Sequence, residues 1–167
     1  KIDSADPEGI QIVRDNIREL NPEAIVIDGA SPVSIDKPEI VKGVNVLVVE
    51  DGPTLTHGEM KYGAGIVAAE KYGVADLVDP RPYAVGSISE TFEKYPEIGI
   101  LLPAMGYGEQ QIKDLETTIN KTECDAVVIG TPMDLRRIVK INKPAVQVTY
   151  DLQEIGHPTI ADVLKDF

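Results

Sequence analysis

Apolar positions along the chain follow two rhythms in alternation. Ile10, Val13, Ile17 and Leu20 recur at helical spacing, with Asp6 as a cap and Pro7 at the first helical position, which predicts an amphipathic helix. Short, mostly apolar runs then appear at 24–27, 44–49, 75–78, 100–102, 126–129 and 145–149. Runs of this length, closed by Gly, Pro or Asp, read as buried parallel strands. Helical patterns lie between them: 59–72 with Gly73 as its stop, 87–95, a helix through Ile112, Leu115 and Ile119, and 134–139 capped by Thr131. Thr159 caps a terminal helix carrying Ile160, Val163 and Leu164. Pro32, Pro38 and Gly43 mark 32–43 as a connector.

Strands alternating with helices imply βαβ units and an α/β fold. Residues 43–150 hold five of the runs, enough for a doubly wound, Rossmann-like and mostly parallel sheet. Residues 1–31 hold one helix and one strand, too little to fold alone, so they are expected to pack on this domain or on sequence outside the chain. The division expected is 1–42 and 43–167. The chain opens on Lys1 in the middle of a pattern, as the carboxyl part of a longer polypeptide would.

Charge narrows the partners. The chain has 28 acidic and 16 basic residues among 167, a net charge of -12. Nucleic acids and membrane surfaces call for a basic face, so neither is expected as a partner. A small anionic substrate needs only a local basic cluster. The single Cys124 rules out an intrachain disulfide and reads as a buried structural thiol. No apolar run approaches the ~20 residues of a membrane span, and no signal peptide is visible, which suits a cytoplasmic protein.

The candidate chemistry sits where the apolar runs end, the place where open α/β sheets bind ligands. After 44–49 come Glu50 and Asp51, candidate oxygen ligands for Mg²⁺, then Thr54, Thr56, His57 and Lys61. Thr54 and Thr56, with amides near Gly52 and Gly58, suit an anion, toward which the next helix would direct its positive end. Lys61 adds charge, and His57 is a candidate acid or base. Helix capping by a threonine and an exposed histidine are the alternative. Pro80 and Pro82 stiffen the backbone around Arg81, whose fork suits phosphate; Tyr83 follows. Gly106, Tyr107 and Gly108 permit close approach of a ligand, without the third glycine of a dinucleotide fingerprint. Thr131, Arg136 and Arg137 close the fourth run, and the two arginines point to different helix faces.

Lys1-x-Asp3, followed by a helix, a strand and Gly29-Ala30-Ser31, resembles the base-reading layout of G domains. That resemblance assigns Lys1, Asp3 and Ser31 to a nucleotide base, with an ordinary solvated strand end as the alternative. Four stretches, 49–58, 78–86, 102–108 and 128–137, resemble the cyclic 2,3-diphosphoglycerate synthetase family, archaeal proteins often described as GTPase-like. The resemblance implies a P-loop nucleotide domain whose tail is the first part of this chain. It implies a ligase that closes an intramolecular phosphoanhydride in a phosphorylated substrate with ATP and Mg²⁺. On that reading His57, Lys61 and Arg81 serve catalysis, and a homodimer is compatible with it. The rival is a GTP-binding switch or metallochaperone-like GTPase whose carboxyl domain binds a partner. No Gly-x-x-x-x-Gly-Lys-Ser/Thr loop occurs in the chain, so it does not cradle a triphosphate in that way by itself.

Overall fold

The computed structural model describes residues 2–3, 5–57, 63–106 and 108–165, without the side chains of Thr54 and His57. In chain order the elements are α1 (Pro7–Leu20), β1 (Gly29–Ala30), β2 (Val33–Ile35), β3 (Asn45–Asp51), α2 (Gly52–His57), α3 (Ala64–Tyr72) and β4 (Asp76–Leu77). Then come α4 (Gly86–Lys94), β5 (Leu102–Ala104), α5 (Glu109–Lys121), β6 (Ala126–Ile129), β7 (Ala145–Tyr150), β8 (Gln153–Glu154) and α6 (Ile160–Leu164). The chain divides into two compact units, one of residues 33–149 and one of residues 1–32 with 150–167.

The larger unit is an α/β layer built on a six-stranded, mostly parallel sheet in the order β2-β7-β6-β3-β4, with β5 also on β3. β3 is its axis. It pairs in parallel with β6 from Val46↔Ala126 to Val49↔Ile129, with β4 beside its first residues, and with β5 beside its last. β7 continues the sheet in parallel beyond β6.

Alternate residues of a strand face opposite sides, and here both sides are apolar. Val46 and Val48 join Val128, Val146 and the α3 residues Ala68 and Ala69 in one core. Leu47 and Val49 join Val127, Ile129, Ile88 of α4, and Leu115 and Ile119 of α5 in the other. Helices therefore cover both faces, as a doubly wound sheet requires.

Several boundaries differ from the sequence reading. Residues 24–27 form no strand: among the described residues they join no ladder, and Ile25 is 61% exposed. An apolar run becomes a strand only when neighbours take its backbone bonds. The connector 32–43 holds β2, the sheet's sixth strand; its Val33 and Ile35 are buried on either side of exposed Ser34. The helix expected over 134–139 contracts to a 3-10 turn, Leu135–Arg137. Asp134, not Thr131, caps it, accepting the Arg136 amide at 3.1 Å, because Thr131 turns its hydroxyl onto the Met133 carbonyl at 2.6 Å. The start of the helix expected over 59–72 lies partly outside the described residues; α3 begins at Ala64. A P-loop tail at the amino end is not seen as such in the smaller unit, which holds α1, the β1–β8 pair and α6.

Leu47 is fully buried on the axial strand. Leu47→Ala should lower unfolding free energy by about 2–5 kcal/mol. Leu20→Ala, at a side chain 84% exposed, should change it by no more than about 0.5 kcal/mol. Denaturant melts of the 167-residue chain measure both.

Candidate functional site

Three strand ends of the larger unit converge. Glu50 is the sixth residue of β3 and is 2% exposed. Its Oε1 accepts the Ile66 amide at 3.0 Å, and the amides of Gly65 and Gly63 also bear on the carboxylate. Glycine is needed at three surrounding positions. A Cβ on Gly63 would collide with the carboxylate, one on Gly65 would lie 2.8 Å from Oε1, and one on Gly130 would lie 2.5 Å from Oε2. Gly130 follows β6, and its amide donates to the Val49 carbonyl at 2.7 Å. The β5 end closes in as well: a Cβ on Gly52 would sit 2.6 Å from the Ala104 carbonyl and strike Met105.

This geometry changes the meaning of Glu50. Gly63, at the N-cap of α3, has no side chain to satisfy the first amides of the helix. Glu50 reaches across from β3 and accepts one of them, so its charge sits at the positive end of the helix. Burial drives the Glu50 carboxyl up to about 7; the amides of Ile66, Gly65 and Gly63 oppose that rise, and the Asp51 charge adds to it. Among the described residues the carboxylate is enclosed by glycines and amides. Among the described residues no group of three or more His, Cys, Asp or Glu is placed to hold a metal ion. Asp51 ends β3, half-buried, beside this cradle.

The other candidates fall into three groups. Thr56 donates its hydroxyl to the Gly52 carbonyl at 3.0 Å, inside α2, rather than offering it to an anion. Thr54 and His57 lie on α2 with side chains outside the described set, and Lys1, Lys61 and Tyr107 lie outside the described residues altogether. Gly106 takes a positive φ of 66°, and a Cβ there would strike the Gln111 side chain.

The guanidinium groups form the second group. Arg81 forks onto Asp79, with Nε 2.9 Å from both carboxylate oxygens and Nη2 2.6 Å from Oδ2. The arginine holds the Asp79 carboxyl below its ordinary range. Tyr83 ends the same 3-10 turn, half-buried. Arg136 binds Asp134 through Nε at 2.8 Å, and Asp36 through Nη1 at 2.7 Å. Arg137, next to it, is exposed. Asp79 and Asp36 were not singled out from sequence, and Asp134 was read only as a favourable charge in the first turn of a helix; Asp79 and Asp134 each lie two residues before a candidate arginine.

Behind Thr131 lies a polar residue that sequence missed. Gln147 of β7 is 8% exposed and donates Nε2 to the Thr131 carbonyl at 2.8 Å and to the Val148 carbonyl at 3.0 Å. Asp114 was missed too. It is buried at the start of α4, where it accepts the Ser87 amide at 2.9 Å and the Ser87 hydroxyl at 2.8 Å. These bonds, with one from Gln110, hold its carboxyl below the ordinary value.

The third group is in the smaller unit. Asp3 Oδ1 accepts the Ser31 amide at 3.0 Å, and the Ile2 amide donates to the Gly29 carbonyl at 2.9 Å. Two residues 28 positions apart, singled out together from sequence, are thus brought together.

Comparison with known proteins gives one informative match. The chain is 60% identical, over all 167 residues, to a protein of Thermococcus kodakarensis named arginine synthetase ArcE. It spans only 37% of the length of that relative. No model of a protein family matches the chain, and no solved structure matches it. Within the described residues no helix is long and apolar enough to cross a membrane.

The buried Glu50 makes a pH-dependent contribution. Its folded value near 7 lies above an ordinary 4.5, so protonation favours the folded state. That stability is fully present below about pH 4 and is lost as pH rises through 7. Gln cannot ionise yet keeps an oxygen for the Ile66 amide. Between pH 4 and pH 8, Glu50→Gln should gain about 2–4 kcal/mol relative to the parent. Parallel denaturant melts across that range give the difference directly, and a flat difference would remove the raised Glu50 value.

Proposed function

We propose that this chain is part of a nucleotide-dependent synthetase of the ligase type, with arginine or a close relative of it as product. The observation that carries this reading is the identity to a protein named arginine synthetase along every residue of the chain. Two physical features support it. A net charge of -12 favours cationic over polyanionic ligands. The arginine forks that a bisphosphate would need, those of Arg81 and Arg136, are already engaged by aspartates. In such an enzyme a nucleotide transfers a phosphoryl or nucleotidyl group to an oxygen of one substrate, and a second group then bonds to the activated carbon and expels that oxygen as phosphate or nucleotide. ATP is the first choice of nucleotide and Mg²⁺ the expected companion of its phosphates. Glu50 and Asp51 are the acids that would hold the metal, and neither takes part in a chemical step here.

A second reading retains the closure of cyclic 2,3-diphosphoglycerate, and the four strand-end stretches favour it. It requires Arg81 to leave Asp79 for a phosphate, and Lys61, Arg136 or Arg137 to assist. A third, a GTP-dependent switch, draws on the bond from the Ser31 amide to Asp3, which sets the base-reading pair side by side.

The full-length protein distinguishes the three. Run in reverse with arginine, an arginine synthetase should form nucleoside triphosphate from the diphosphate and inorganic phosphate, or from the monophosphate and pyrophosphate, in an arginine-dependent way. The diphosphoglycerate reading expects ATP consumption that depends on 2,3-diphosphoglycerate instead. A switch expects slow GTP hydrolysis indifferent to both. No arginine-dependent triphosphate with either adenine or guanine nucleotides would overturn the first reading.

Arg81 offers an independent check. If it clamps a phosphate, Arg81→Ala should weaken binding of the phosphorylated ligand by roughly ten- to a hundredfold, the loss of one charge-assisted bond. Asp79→Asn, which releases the fork, should tighten it. On the arginine reading both variants should leave diphosphoglycerate binding absent, as calorimetric titration would record.

A further inference from the structure

We propose that α1 and residues 24–27 form a docking face for a β-sheet supplied by the rest of a longer polypeptide. The inference does not depend on which reaction that polypeptide performs. It begins from a deficit of core. Among the described residues of the smaller unit, Ala30 is the one buried hydrophobic side chain. α1 runs for 14 residues with a capped start and a clear apolar stripe, yet none of its residues is buried. A soluble helix of this kind owes its stability to a covered apolar face.

The uncovered surface has a definite shape. Val13, Ile17 and Leu20 of α1 face Ile25, Val26 and Ile27 across an open groove of about 580 Å³. Leu20 is 84% exposed, Ile25 61% and Val13 56%. Residues 24–27 are apolar at every position, as strands buried on both faces are, but they have no ladder partner. Residues 2–3 lie beside 29–31, joined by the Ile2-to-Gly29 and Ser31-to-Asp3 bonds. α1 thus leaves and returns to neighbouring lines of chain, the path of a helix crossing over one side of a sheet. What this arrangement lacks is the sheet.

The occupant follows from chemistry and length. The groove is apolar and 25–27 join no ladder among the described residues, so it fits a strand with apolar neighbours rather than a polar ligand. The Thermococcus relative carries this chain as 37% of its length, which leaves ample polypeptide to supply that sheet in cis.

Hydrogen exchange tests the proposal. The 167-residue chain is compared with a chimera in which it replaces its counterpart in the Thermococcus protein. Amides of 10–20 and 24–27 should exchange at least about tenfold more slowly in the chimera, while those of 46–49 and 127–129 stay slow in both. Ile25→Asp should abolish the difference in the chimera and leave 46–49 slow. Should the chimera not fold, the corresponding amides of the Thermococcus protein itself are read in its place. Equal exchange in both proteins would overturn the proposal. So would protection in the 167-residue chain that grows with its concentration, since a second copy would then be the occupant. Synthetase assays on the same chimera are read separately, so loss of activity with retained protection bears on the reaction alone.

Discussion

The buried Glu50 carboxylate, met by the amides of a helix start, is the constraint around which the larger unit is arranged. Glu50 leaves the axial strand at its carboxyl end and takes the amides that α3 leaves open at its start. Everything near it is shaped by the need to bring backbone close: Gly63 and Gly65 before and within α3, and Gly130 after β6. One side chain therefore ties β3, α3 and the β6 end together. The same solution recurs at α4, where Asp114 of α5 accepts the amide and hydroxyl of Ser87 against Gly86. Helix starts that in many α/β proteins face an anionic ligand are here met by acids from the protein itself.

This economy of charge colours the functional reading. Arg81 and Arg136, the cations best placed by sequence, are held in forks by aspartates within two residues, and Arg136 by Asp36 as well. The acidic chain supplies its own counter-charges at the strand ends. A bisphosphate would have to displace an aspartate from each of these forks.

Much of the layout was legible because local rules and burial agreed. Asp6 and Pro7 start α1 as their chemistry requires, Thr159 caps α6, and the 126–129 run is a strand from end to end. The misreadings have physical sources. Residues 24–27 look like a strand since apolarity is local, whereas pairing is not. β2 hides between prolines because three residues carry too short an alternation to stand out. Glu50 has a role that an acid at a strand end does not announce, since it accepts the Ile66 amide at the start of α3. Its capping role depends on glycines 13, 15 and 80 residues away. Asp3 and Ser31, named together in the sequence, lie within one hydrogen bond of each other because the chain returns after α1 to the line it left.

The long reach of the two caps bears on how the chain folds. Glu50 lies 16 residues from Ile66, and Asp114 lies 27 from Ser87. Neither α3 nor α4 has an N-cap side chain of its own to hold its first turn while the chain is still open. Nascent α3 and α4 should fray at their amino ends until β3 and α5 arrive. Because contacts of high sequence separation form at an entropic cost, these helix starts belong to the late, sheet-dependent stage of folding. In kinetic terms they are places where a substitution quickens unfolding and leaves the folding rate nearly untouched.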